Sequence, residues 1–322
     1  NRLSARYHLY NVAMETPVLI GLDWGTSSLR AYLLAASGEV IDQRWSAAGI
    51  LAVEDGGFSD VLLATVGDWL NTSPTLPIIA SGMVGSRAGW REVPYVAAPA
   101  GLQEIARGAV SLPFASTTVW LVPGLAQRPD NGTGADVIRG EETQVLGAVS
   151  GASCDGMSER LWVLPGTHSK WVTTRAETIT SFATFFTGEL FASLSTQGTL
   201  GQVMSEPSND ASEARGFARG LETDGRFGLL GRLFSVRAEV LLEQQPAEEA
   251  RGYLSGLLLG AEMDEARVNL DGSGPVGLIV DGALRARYAQ ALRSRGFEVD
   301  EYLEPAAPQG LLRLAVALGL VQ

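Results

Sequence analysis

Apolar and polar positions fall into a pattern that occurs twice along the chain. Residues 18 to 24, 28 to 35 and 39 to 47 read as three short β runs, separated by "GTS" and by "ASGE", with Ser37-Gly38 marking a tight turn. They predict an antiparallel meander. Apolar residues at helical spacing follow over 58 to 71. Then come a buried strand, "PIIASGMVG" (77 to 85), that runs into a glycine-rich loop, an apolar strand at 117 to 125, and "DVIRGEETQVLGAV" (136 to 149), a loop entering a helix. The theme then restarts. "RLWVLPGTHSKWVTT" (160 to 174) is again strand, Gly-Thr turn and strand, and "ETITSFATFF" (177 to 186) is the third run. Helical stretches at 187 to 196, 210 to 220, 226 to 244 and 246 to 265 precede a strand at 276 to 282, a helix from about 284 to 295, a strand at 297 to 303 and a closing apolar helix, "QGLLRLAVALGL". Two halves with the same opening predict a duplicated α/β unit with a cleft between the halves.

Composition narrows the partners. A chain of 322 residues, 46% hydrophobic and 19% charged, exceeds the usual single-core size, so two domains are expected. The net charge of -12 argues against nucleic acid or an acidic membrane surface, which are held through clustered Lys and Arg. One cysteine and two histidines leave no disulfide framework and no Cys/His zinc site, and Cys154 reads as an inert loop thiol. The first thirteen residues lack an apolar signal core, and no run approaches the ~20 apolar residues of a membrane span. The expected location is the cytoplasm, with Met14 an alternative start and the stretch before it a leader.

The candidate chemistry sits in the turns. In "LIGLDWGTSSLRAYLL" an apolar strand breaks at one acid, one glycine and three hydroxyls, then resumes as a strand. Such a turn exposes backbone N–H groups and hydroxyls to polyphosphate oxygens. An aspartate there makes sense if it holds hydrated Mg²⁺, which takes one or two carboxylates besides phosphate and water. Asp23 with Gly25, Thr26, Ser27 and Ser28 forms one such clamp, and Gly166, Thr167, Ser169 and Lys170 the facing one. His168 would hydrogen-bond beside the phosphates. The competing reading is a pair of ordinary hairpin turns, less favoured because both turns occur at matching places. There is no GxxxxGK[ST] loop, and "GSGPVG" (272 to 277) precedes its strand, so it reads as a loop.

Two further segments carry chemistry. "RGEETQ" puts Arg139, Glu141 and Glu142 at a helix start, where acids either meet the helix dipole or supply a base for an attacking hydroxyl. Adjacent helical residues diverge by about 100°, so one glutamate has that task, with the weight on Glu141. "SGMVGSRAGWREVPY" offers Gly82, Met83, Gly85, Ser86, Arg87 and Trp90 for a small polar anion, the arginine clamping a carboxylate and the tryptophan walling the pocket. Gly252, Gly256 and Gly260 let a helix or a nucleotide approach closely.

The turn pair resembles the actin, hexokinase and Hsp70 superfamily of ATP-dependent phosphotransferases. Within it, "GLDWGTSSLRAYL", "ASGMVGSRAGWREVPYVAAPAG", "VIRGEETQVLGA", "LPGTHSKWV", "TGEL" and "YLSGLLLGAE" are similar to the 2-dehydro-3-deoxygalactonokinase family. The chain departs from the superfamily pattern at Pro165, where many members carry an acid, and at the adenosine-site "GG", which stands as Asp281-Gly282. The resemblance implies an α/β fold of two ribonuclease H-like (actin-like ATPase) domains with an ATP cleft between them: 14–155 with the acceptor loop and catalytic acid, 156–307 on the nucleotide side, and a helix at 308–322 packing back on the first. It implies ATP and Mg²⁺, with Asp23 as the metal residue, Glu141 or Glu142 as base, Gly282 and Ala283 against adenosine, and Gly82 to Arg87, Trp90 and Arg139 around a sugar acid. Phosphorylation of 2-dehydro-3-deoxy-D-galactonate at its 6-hydroxyl is the implied activity, and a homodimer is left open. The alternatives are an exopolyphosphatase-like hydrolase and a non-catalytic actin-like ATP-binding protein.

Overall fold

A computed structural model describes residues 15–128, 134–151, 159–206, 209–223, 227–270, 272, 274–280, 282–302 and 305–321. The readings of residues 1–13, Met14, Cys154 and Asp281 fall outside them. Strands β1 (Pro17–Trp24), β2 (Leu29–Ala35) and β3 (Val40–Ser46) form the expected meander. After α1 (Phe58–Thr72), β4 (Ile78–Ser81) returns parallel to β1, followed by β5 (Val96–Ala97), α2 (Leu102–Arg107), β6 (Val110–Phe114), β7 (Thr117–Leu121), β8 (Leu125–Gln127), β9 (Asp136–Ile138) and α3 (Glu141–Gly151). The main sheet runs β3-β2-β1-β4-β7-β6. Its central strand β1 buries Leu19 on one face, beside Leu34 of β2, and Ile20, Leu22 and Trp24 on the other, as a strand covered on both sides must.

The second half repeats the design. β10 (Glu159–Leu164), β11 (Ser169–Arg175) and β12 (Thr178–Phe185) form a meander, and then come α4 (Thr187–Thr196), α5 (Gly198–Gly201), α6 (Asp210–Glu222), α7 (Leu229–Leu233), α8 (Ser235–Leu241) and α9 (Ala250–Asn269). β13 (Val276–Ile279) lies parallel to β10 and is followed by α10 (Ala283–Ser294), β14 (Val299–Tyr302) and α11 (Ala306–Ala317). The order β12-β11-β10-β13-β14 reproduces that of the first sheet from its meander to its parallel strands. This is the repeated ribonuclease H-like unit.

Three departures from the periodicity have physical causes. The apolar stretch 226 to 244 is two short helices with a break at exposed Phe234; Leu229, Leu233, Val236 and Val240 keep one inward stripe across it while Leu230 and Leu241 face solvent. The three-stranded sheet β5-β8-β9 has strands too short for alternation to show. Gly252 and Gly256 receive a helix, not a nucleotide: a Cβ on them would stand 2.1 Å from the Glu213 carbonyl and 2.2 Å from that of Phe217, both on α6.

The halves are stitched together on the first half's small sheet and by α11. Ala100 and Ile179 exchange backbone hydrogen bonds of 3.0 and 2.9 Å, and Asp136 of β9 accepts from the backbone and hydroxyl of Thr184 on β12. Helix α11 packs on α3 and on β1, with Leu311 and Leu314 in the same core as Leu19, Val145 and Ile179. The α3–α11 crossing is glycine-tight: a Cβ on Gly310 would lie 1.8 Å from the Thr143 carbonyl, and one on Gly147 2.0 Å from that of Ala306. Gly310→Ala should therefore force the helices apart and cost at least about 2 kcal/mol, read as a lowered denaturant midpoint at unchanged m-value.

Candidate active site

A cleft of about 410 Å³ is lined by the end of β1, the β10–β11 turn and the start of α3. Asp23 and the Gly25–Thr26 backbone come from the first turn; Pro165, Gly166, Thr167, His168 and Lys170 come from the second. Glu141 and Gln144 look in from α3. The two turns predicted from the sequence thus share one cleft. Its floor depends on two left-handed glycines, Gly82 (φ +96) and Gly140 (φ +111), whose backbones nearly touch: a Cβ on Gly140 would sit 3.3 Å from the Gly82 Cα.

The carboxylates differ in setting. Burial pushes the Asp23 carboxyl above its usual range, and Arg30 at 3.8 Å opposes the shift. Burial also raises Glu141, against the pull of Lys170 across the cleft; the Asp23 charge adds to the rise, and the Arg139 N–H donates to Glu141 Oε2 at 2.9 Å. Glu142 is 0% exposed and absent from the cleft lining. Its Oε2 accepts from the Gly140 N–H at 2.7 Å and its Oε1 from the Thr143 hydroxyl at 3.0 Å, so it closes the start of α3. Burial, with the neighbouring Glu141 charge second, raises Glu142 to about 7.

Among the cations, Arg139 stands apart. It is 8% exposed and lines the cleft, with its guanidinium 4.2 Å over the Tyr95 ring. Nη2 donates to the Val93 carbonyl at 2.8 Å, while Nε and Nη1 have no partner among the described residues. Gly85 leaves the room: a Cβ there would stand 3.0 Å from Nη1. A buried cation with two idle donors is costly unless an anion completes it. Lys170, also buried, donates to the Thr184 hydroxyl at 3.0 Å, and His168 Nε2 lies 2.7 Å from Glu189 Oε2 with its ring stacked on Phe186.

Several expected site residues lie elsewhere. Arg87 is 89% exposed and pairs with Glu92 at 3.5 Å, because its loop turns outward to solvent. Trp90 is partly buried and packs against the core formed by Trp24, Phe58 and Phe114, outside the cleft lining, whose aromatic residue is Tyr95. Ser27 is exposed and Ser28 acts through its carbonyl, which accepts from the Gly25 N–H at 2.9 Å; neither side chain lines the cleft. Ser169 is fully buried and donates to Glu262. Ser86 is buried, its hydroxyl without a partner among the described residues and outside the lining, whereas Gly82 and Met83 belong to it. Gly282 (φ +69) precedes α10 and lines none of the cavities described here, and the Ala283 side chain falls outside the described residues.

Sequence reading missed Tyr95 and a neighbouring apolar cavity of about 270 Å³. That cavity opens from Gly166 and Thr167 onto α4, α9 and α10, with Leu258, Leu259, Leu284 and Tyr288 in its walls. No local motif marks it, because its walls come from three separate helices. The "TGEL" segment was its one signal: Gly188 lets α4 approach the β10–β11 turn, where a Cβ would stand 2.3 Å from the Gly166 carbonyl.

The sequence profile of the 2-keto-3-deoxy-galactonokinase family matches residues 23–314. A probable 2-dehydro-3-deoxygalactonokinase of Rhizobium meliloti (strain 1021) is 39% identical over 286 residues, 86% of this chain and 90% of the relative. The 2-dehydro-3-deoxygalactonokinase of Escherichia coli (strain K12) is 34% identical, covering 91% and 96%. A crystal structure from Sinorhizobium meliloti, assigned to the same activity, superposes with a TM-score of 0.80 at 35% identity, covering 93% of this chain and 99% of that one.

The Glu142 setting gives a stability test. Its folded pKa is raised from 4.5 to about 7, so its contribution is fully present below pH 4.5 and is lost as pH climbs through 7. Glu142→Gln keeps an acceptor for the Gly140 N–H and offers an amide N–H to Thr143. Chemical denaturation should show wild type losing about 3 kcal/mol at most between pH 5 and 8 from this group, and the variant a flatter profile.

Proposed function

The chain belongs to the 2-keto-3-deoxy-galactonokinase family, and from that premise we propose which of its atoms carry the reaction. It is a sugar-acid kinase of the actin-like ATPase fold that phosphorylates 2-dehydro-3-deoxygalactonate with ATP. The acceptor is the 6-hydroxyl. Its oxygen attacks the γ-phosphorus, the bond from that phosphorus to the β–γ bridging oxygen breaks, ADP leaves, and Glu141 takes the hydroxyl proton. Support for Glu141 over Glu142 is that only Glu141 faces the cleft.

The observation that carries the acceptor assignment is the Arg139 guanidinium, a cation in the cleft lining. It receives the carboxylate of the sugar acid, with Tyr95 behind it and Gly82 and Met83 beside it. The Gly25–Thr26 and Gly166–His168 turns grip the phosphates, Lys170 counters their charge, and the nucleoside enters the apolar cavity between α4, α9 and α10. Among the described residues no three His, Cys, Asp or Glu side chains gather. Mg²⁺ takes few carboxylates, and Asp23, which lines the cleft, would hold it; the ion would supply neutralisation of phosphate charge.

We assign 14–155 and 156–307 to the two lobes and 308–322 to the helix that returns to the first, a cytoplasmic location, and no nucleic-acid partner; whether two copies pair is a question for solution measurement. No helix among the described residues is long and apolar enough to cross a membrane. Neither a phosphoanhydride hydrolase nor a non-catalytic ATP-binding protein needs a buried cation at the acceptor end.

A coupled ADP-release assay with Mg·ATP should show turnover that requires 2-dehydro-3-deoxy-D-galactonate. Glu141→Gln should lower kcat about 10²–10⁴-fold. Arg139→Lys should raise KM for the sugar acid at least about tenfold with little change for ATP, and Arg87→Ala should leave both constants near wild type. ADP release indifferent to the acceptor would overturn the assignment.

A further inference from the structure

Glu262 lies in the middle of α9 and is 3% exposed, with no role in the transfer chemistry. A carboxylate in that position is expensive, and an apolar residue of similar size would pack there at lower cost. What it accepts is informative. Oε1 receives the Ser169 hydroxyl at 2.7 Å and the Trp171 indole N–H at 2.9 Å; Oε2 receives the Tyr288 hydroxyl at 3.2 Å, and the Thr187 side chain bonds the same carboxylate. Burial pushes Glu262 up and these donors hold it down, while burial and the Glu262 charge keep Tyr288 protonated as a donor.

The donors come from the elements that enclose the apolar cavity. Thr187 at the start of α4 and Tyr288 on α10 line it, and Ser169 follows directly on the Gly166–His168 turn. One carboxylate therefore fixes the walls of that cavity relative to the phosphate-gripping turn. We propose that Glu262 is a positioning residue that sets the spacing between the nucleoside pocket and the phosphate turn, and so governs nucleotide affinity separately from sugar-acid affinity. This rests on the assignment of the nucleoside to that cavity.

The test uses the full chain and measures KM for ATP and for the sugar acid, with ATP affinity by calorimetry. Glu262→Ala should raise KM for ATP about tenfold or more, since buried donors lose their acceptor, and leave KM for the sugar acid within about twofold. Glu262→Gln should recover most of the loss: its amide oxygen accepts from Trp171 and Ser169, and its N–H groups donate to the Tyr288 and Thr187 hydroxyls. If Glu262→Ala fails to fold, Tyr288→Phe and Ser169→Ala, each removing one hydroxyl from the carboxylate, should give smaller rises in the same constant. Wild-type ATP affinity in these variants, or an equal rise in both constants, would overturn the inference. Ser255→Tyr, which fills the cavity from α9, separates the two failures: unchanged ATP affinity there removes the nucleoside from the cavity, whereas lost affinity there with wild-type constants for the Glu262 set overturns the positioning role alone.

Discussion

The crossing of α3 and α11 through Gly147 and Gly310 is the constraint on which the cleft depends. Helix α3 carries both glutamates at its first turn, and its direction is fixed by a partner that admits no side chain at the contact. At its other end, Gly140 meets Gly82 backbone to backbone, so α3 starts against the loop that leaves β4. A helix pinned at both places delivers Glu141 to the cleft with little freedom, which the role proposed for it requires.

The charges in the cleft are arranged by what shields them. Glu142 lies next to Glu141 in sequence yet is spent on the Gly140 N–H and the Thr143 hydroxyl, while Glu141 is left facing Lys170 and Asp23. Arg139 is held on one side by the Val93 carbonyl and on its face by Tyr95, and its side chain lines the cleft. In both cases local bonds fix the side chain that faces the cleft.

The fold was legible because its signals are local and repeated: two strand meanders, two Gly-hydroxyl turns and long apolar helices. The cleft was half legible. The turns and the Glu141 helix announce themselves by composition, and Arg139 stood inside the same motif. The arginine and tryptophan of the "SRAGW" loop misled because residue type says nothing about direction: Arg87 turns to solvent and Trp90 into the core. Tyr95, Glu262 and the walls of the apolar cavity could not be read from spacing, since the atoms they meet lie on strands and helices distant in sequence.

The return of α11 to β1 also bears on how the chain is made. Leu19 and Leu34 of the first meander share their core with Leu311 and Leu314, from the other end of the described chain. During vectorial synthesis α2 and α3 can cover part of that face early, through Ile105, Val145 and Leu146, but Leu311 and Leu314 join it only after the second lobe has been made, so apolar surface stays open to association in the interval.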